Sequence, residues 1–112
     1  MSILHIARAA EWQRAQATGE YRWSSRDRTV DDEGFIHCST PGQVAGVAAR
    51  FYADDVEPLA VLVLDDEAIA ASATDLVYEG DGELFPHVYG PIRLDWVTEV
   101  RPASFLHGEF VY

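Results

Sequence analysis

Residues 59–65 read Leu59-Ala60-Val61-Leu62-Val63-Leu64-Asp65, six apolar residues in succession closed by an acid. The run has the length of a strand, is too short for an independent helix, and shows no polar alternation. That pattern is expected of a central strand buried on both faces. Such a strand needs apolar cover from two sides, and the rest of the chain can supply it. The sequence has 112 residues, of which 48% are hydrophobic and 12% aromatic. This length suits one domain over residues 1–112 with a true core.

The flanking segments supply the other elements. Residues 2–7 read as a short strand with His5 inside it, and residues 8–18 as a helix with Gly19 as its C-terminal cap. Residues 20–33 are polar and read as a loop anchored by Tyr21 and Trp23. Gly34-Phe35-Ile36-His37-Cys38 reads as a second strand. In Thr40-Pro41-Gly42-Gln43 the spacing is that of a capping box with Pro at the first helical position. Val44, Val47, Ala48 and Phe51 then recur at helical intervals, so residues 41–53 form an amphipathic helix. Residues 66–73 suggest one helical turn and 75–79 a strand. The Gly- and Pro-rich segment 80–91 reads as a structured loop. Residues 92–101 read as a strand, and the tail at 104–112 as an edge strand. The expected class is α+β, a small split mixed or antiparallel sheet with two helices in the N-terminal half.

The formal charge is −11 and it is unevenly placed. Residues 1–50 hold six Arg against six acids. Residues 51–112 hold only Arg93 and Arg101 against thirteen acids. A nucleic-acid backbone or an anionic membrane surface is therefore not the expected partner. A local anion pocket in the neutral half is still open, because Arg forks hold phosphate or carboxylate well. No apolar run approaches the length of a membrane-spanning helix. Cys38 is the sole cysteine, so no internal disulfide forms and a reducing cytoplasm is expected. Nothing in the sequence sets an oligomeric state.

Three histidines, His5, His37 and His87, lie in apolar surroundings. One strand histidine is ordinarily a satisfied core residue, but three in a small domain suggest a site. His37 and Cys38 are strand neighbours and point to opposite faces unless the strand ends there. Ser39 and Thr40 add hydroxyls where the strand meets a helix N-terminus, which suits an anion. Glu79 ends a strand at the glycine-rich loop, where a carboxylate can orient a hydroxyl or stabilise a developing cation. Phe85-Pro86-His87-Val88-Tyr89-Gly90-Pro91 offers aromatic rings for stacking on a flat ligand. His and Cys are metal-ligand types, yet no pair has the short spacing of a metal motif, so no metal is expected.

The series Ile3-Leu4-His5-Ile6, Gly34-Phe35-Ile36-His37-Cys38-Ser39-Thr40, Tyr78-Glu79 and Phe85-Pro86-His87-Val88-Tyr89-Gly90-Pro91 resembles domain-of-unknown-function family 952 (DUF952) over residues 3–100. Leu4 stands where the family pattern has Tyr. The resemblance implies a fold like that of ADP-ribosyltransferases, in which a split sheet holds NAD. It further implies NAD as substrate, with His5 holding the adenylate ribose, His37 and Ser39 near the nicotinamide, and Glu79 polarising the ribose hydroxyl. His37 and Glu79 are then the catalytic candidates. His5, Ser39, Thr40, His87 and Tyr89 are the candidates for binding the ligand. Arg8 or Arg50 would contact the pyrophosphate, with only the ribose or nicotinamide side near Glu79, Asp81 and Glu83. Two rival readings use the same residues: a non-catalytic module for a nucleotide-like or small-carboxylate ligand, and a metal-dependent hydrolase at the three histidines.

Overall fold

The computed structural model describes all 112 residues. In chain order the elements are β1 (Ser2–Arg8), α1 (Ala9–Thr18), β2 (Glu20–Tyr21), α2 (Val30–Glu33), β3 (Ile36–His37), α3 (Val44–Phe51) and β4 (Leu59–Asp65). There follow α4 (Asp66–Ala70), β5 (Leu76–Glu79), β6 (Phe85–Val88), β7 (Ile92–Arg93), a 3₁₀ turn (Leu94–Trp96), β8 (Val97–Leu106) and β9 (Glu109–Val111). The strands form three sheets, ordered β1-β4-β8-β9, β2-β7 and β3-β6-β5. Every ladder is antiparallel. The class is therefore α+β with antiparallel sheets; no parallel pairing mixes in, α4 stands where a helical turn was expected, and the N-terminal half holds three helices where two were expected.

β4 lies between β1 and β8, as its unbroken apolar run requires. Alternation along it feeds two cores. Leu62 and Leu64 join Ile3, Ile36, Ile92 and Trp96 on one face, while Leu59 and Val61 join Leu4, Ile6, Val44 and Ala48 on the other. Each of the Leu, Ile and Val side chains among them contributes about 1.5–3 kcal/mol on full burial. α3 covers the second core with Val44 and Ala48, both buried. The β8–β9 hairpin closes through His107 and Gly108, at φ of 51° and 81°. That is a two-residue turn of the type with two left-handed positions.

Several elements depart from the sequence reading. α3 begins at Val44, because residues 41–43 form a turn in which the Thr40 carbonyl accepts from both Gln43 and Val44. Only half of the expected capping box exists. The Gln43 Oε1 accepts from the Thr40 N–H at 3.0 Å, but no hydroxyl bond returns. A complete capping box stands in the segment read as loop. There the Thr29 hydroxyl accepts from the Asp32 N–H, and the Asp32 carboxylate accepts from the Thr29 N–H. It starts α2, whose cap is Gly34 at φ 92°, so Gly34 ends a helix and does not open a strand. The supposed loop 80–91 contains β6, the middle strand of its sheet. Pro86 is tolerated there because its carbonyl faces β3, accepting from Cys38 N–H. Its nitrogen faces the same side, where β3 has already ended. The expected strand 92–101 is broken by the 3₁₀ turn, which buries Trp96.

Truncation of Leu62, which is fully buried, to Ala should cost about 2–5 kcal/mol in urea denaturation, the range for buried Leu. Val100→Ala on β8, at 38% exposure, should cost well under half of that. Equal losses would contradict the placement of β4 as the shared core strand.

Candidate functional site

The site follows from two-residue alternation on β3 and β6. Ile36, Cys38 and Val88 point into the core. Phe35, His37, Phe85, His87 and Tyr89 therefore share the opposite face. His37 stands directly across from His87, with ring centroids 5.3 Å apart. Cys38 is fully buried, its thiol lies against the Ile36 carbonyl, and burial pushes its pKa well up. It takes no part in this face.

Glu79 reaches the same face from β5, opposite Phe85 in register. The His87 Nδ1–H donates to Glu79 Oε1 at 2.8 Å, and the Tyr89 hydroxyl donates to the same oxygen. These two hydrogen bonds, that of Tyr89 first, hold the Glu79 carboxyl below the usual carboxylate range. Phe35 stacks on His87 at 3.9 Å and 14°, so the imidazole is fixed in plane as well as in direction. The His37 ring has no hydrogen-bond partner, although its backbone is held. Its N–H donates to Ser24 Oγ at 3.2 Å and its carbonyl accepts from His5. Burial, then repulsion from His87, lowers the His37 pKa to about 4, so the ring is neutral at pH 7.

His5 is placed differently. It is 2% exposed, and a carbonyl can only accept, so Nδ1–H donates to His37 O at 2.7 Å. Nε2 then accepts from the Tyr21 hydroxyl at 3.0 Å. Burial lowers the His5 pKa to about 4 and raises that of Tyr21. Both ring nitrogens are thus occupied, and His5 offers a ligand only its ring surface. For the same reason it offers no lone pair to a metal, and no group of three or more His, Cys, Asp or Glu is arranged to hold one.

Two clefts meet at His37. One, of about 300 Å³, is lined by His5, Ser24, His37 and Ser39 and walled by α3. The other, of about 470 Å³, lies between α3 and the segment leading into β6, with His37, Arg50, Glu83 and Phe85 in its lining. They share His37, Val47 and Phe51. Of the expected site residues, His5, His37 and Ser39 line the first cleft. Glu79, His87 and Tyr89 line neither, standing beside His37 on the same sheet face. Thr40 also lines neither; its N–H is bound to the Gln43 side chain. Arg8 is committed to the buried Asp55 carboxylate through two hydrogen bonds of 3.0 and 3.3 Å. Arg50 is the one Arg of eight with no carboxylate partner. The sequence reading missed Phe35 as the stacking partner of His87, which strict alternation along residues 35–38 would have found. It also missed Ser24, for which the sequence holds no signal.

His5 and His37 both carry depressed values, so both bind protons more readily in the unfolded chain, where His titrates near 6.5. The sign is then definite: stability is complete above about pH 6.5 and falls as pH drops from there toward 4. Urea midpoints at pH 7.5 and pH 5 should differ, and His37→Ala should shrink the difference. An unchanged midpoint across that window would contradict the burial of both rings in neutral form.

The family model described as "Protein of unknown function (DUF952)" matches residues 6–100. The chain is similar to the crystal structure of protein CC0527 from Caulobacter crescentus, with a TM-score of 0.84 and 27% identity over 99% of this chain and 94% of that one. The solution NMR structure of CC0527 is similar too, with a TM-score of 0.74 and 29% identity over 96% of this chain and 90% of that one. No curated protein matches the chain.

Proposed function

The chain belongs to the DUF952 family, and we propose that it binds NAD or a related nucleotide at the clefts around His37 and acts as an ADP-ribosyltransferase-like enzyme. The observation that carries this reading is that Glu79 and His87 stand in line with His37 on one sheet face, and that His37 lies at the meeting of two clefts. The split between the β1-β4-β8-β9 and β3-β6-β5 sheets, crossed by a single bridge between Leu4 and Ser39, supports it further.

The chemistry asks little of the protein beyond positioning and charge. The bond from the ribose to the cationic nicotinamide breaks, and nicotinamide leaves as a neutral molecule with the bonding pair. The ribosyl cation is captured by an acceptor, whose proton passes to a base. His37 is the neutral imidazole at hand for that proton. Glu79 is ionised, and both of its hydrogen bonds fall on Oε1. Oε2 is therefore the acceptor left for a ribose hydroxyl beside the developing cation. The runner-up is a non-catalytic module for a nucleotide-like or small-carboxylate ligand, which the low basicity of His37 favours.

Calorimetry with NAD should give binding to the wild type that weakens about tenfold or more in His37→Ala. Nicotinamide release, followed by chromatography with candidate acceptors present, should then be seen for the wild type and not for Glu79→Gln. Absence of NAD binding at millimolar concentration would sink the reading. Binding without release would favour the module.

A further inference from the structure

The cleft between α3 and the segment entering β6 holds one uncompensated positive charge and one negative charge. Its only ionisable lining groups are Arg50, Glu83 and His37, and His37 is neutral at pH 7. Seven of the eight Arg side chains sit on carboxylates, and in a chain of charge −11 the eighth lies in this cleft. Gly42 and Gly46, also in the lining, precede Arg50 at four-residue intervals, and a Cβ at either would meet nothing within 4 Å. The α3 surface one turn before Arg50 is therefore bare, and the Arg50 guanidinium lies over the Phe51 ring, 5.7 Å from its centroid. Glu83 is fixed at the other end of the helix. The Gln43 amide donates to Glu83 Oε2 at 3.1 Å and to the Leu84 carbonyl at 2.8 Å. Gln43 and Arg50 are seven residues apart, roughly 10 Å along the helix axis. The Phe85 ring also lines the cleft, tilted against His37 at 5.2 Å.

We infer that this cleft takes a zwitterionic ligand, a cationic flat ring joined to a phosphate, and so receives the nicotinamide mononucleotide half of the nucleotide. The inference rests on the NAD reading above and deepens it. The phosphate pairs with the Arg50 guanidinium, which has no internal carboxylate to give up. The pyridinium ring lies over Phe85, a favourable place for a cation on an aromatic face, with the Glu83 carboxylate near it. The Gln43 strut holds the two walls together before the ligand arrives, which lowers the ordering cost of binding. A plain dianion would meet Glu83, and a plain cation would meet Arg50, so neither suits the cleft as well as a molecule carrying both charges.

The probes are nicotinamide mononucleotide and its reduced form, which keeps the phosphate but has a neutral ring. Both are titrated by calorimetry against wild type, Arg50→Gln and Glu83→Gln. Both positions are exposed, and Gln at 83 still offers an oxygen to the Gln43 amide, so the fold should hold by circular dichroism. Arg50→Gln should weaken both probes about tenfold, the worth of a charge-assisted hydrogen bond. The wild type should prefer the oxidised form about two- to fivefold, and Glu83→Gln should reduce that preference, leaving the part due to the Phe85 face. Equal binding of the two forms to the wild type overturns the inference, as does mononucleotide binding indifferent to Arg50→Gln, or none at millimolar concentration. Mononucleotide binding with these dependences, without NAD binding, leaves the inference standing and sinks the dinucleotide reading. NAD binding that ignores both substitutions does the reverse.

Discussion

The site depends on the seam between β1 and the segment that leaves β3. Leu4 and Ser39 exchange two backbone hydrogen bonds of 2.7 Å each, the only bridge between the four-stranded and three-stranded sheets. Beside it, His5 reaches from β1 to the carbonyl of His37, and Tyr21 holds the far side of the His5 ring. These bonds are buried, where a lost partner leaves a polar group unpaired at considerable cost. The seam thus sets how far the two sheets part and where the His37 backbone lies. A histidine suits this position because one neutral ring donates on one side and accepts on the other, and burial keeps it neutral.

Above the seam, one alternation separates stability from chemistry. Ile36, Cys38 and Val88 complete the core, and their neighbours Phe35, His37, Phe85, His87 and Tyr89 make the candidate site. β3 is only two residues long, so it ends early enough for Ser39 to turn back to β1. His87 is over-determined by Glu79, Phe35 and the ladder around it, whereas the His37 ring has only tilted contacts with Phe85 and His87 and no hydrogen bond of its own. Rigid support behind one open imidazole is the arrangement expected of a working site.

Charge is handled locally. Most Arg residues pair with a near neighbour in the chain, such as Arg93 with Asp95 and Arg101 with Glu99, on exposed surface where such pairs add little stability. Arg8 with Asp55 and Arg26 with Asp54 are the long-range exceptions, tying the end of β1 and the segment after β2 to the segment after α3. What sets Arg50 apart is the lack of any such partner, a distinction invisible in the net charge.

By itself the sequence determined the central strand at 59–65, the helix read over 8–18 with its Gly19 cap, and the opposition of His37 to Cys38. Each is a matter of local period or backbone conformation. Tertiary structure decided the rest. Pro86 sits in a middle strand because β3 stops beside it. It also decided that His5 is sealed by Tyr21 and the His37 carbonyl while the His37 ring stands open, and that Arg50 is unpaired while Arg8 is not. In sequence these residues look alike. Which hydrogen-bond partners remain to each is fixed by strands and loops that lie far away along the chain.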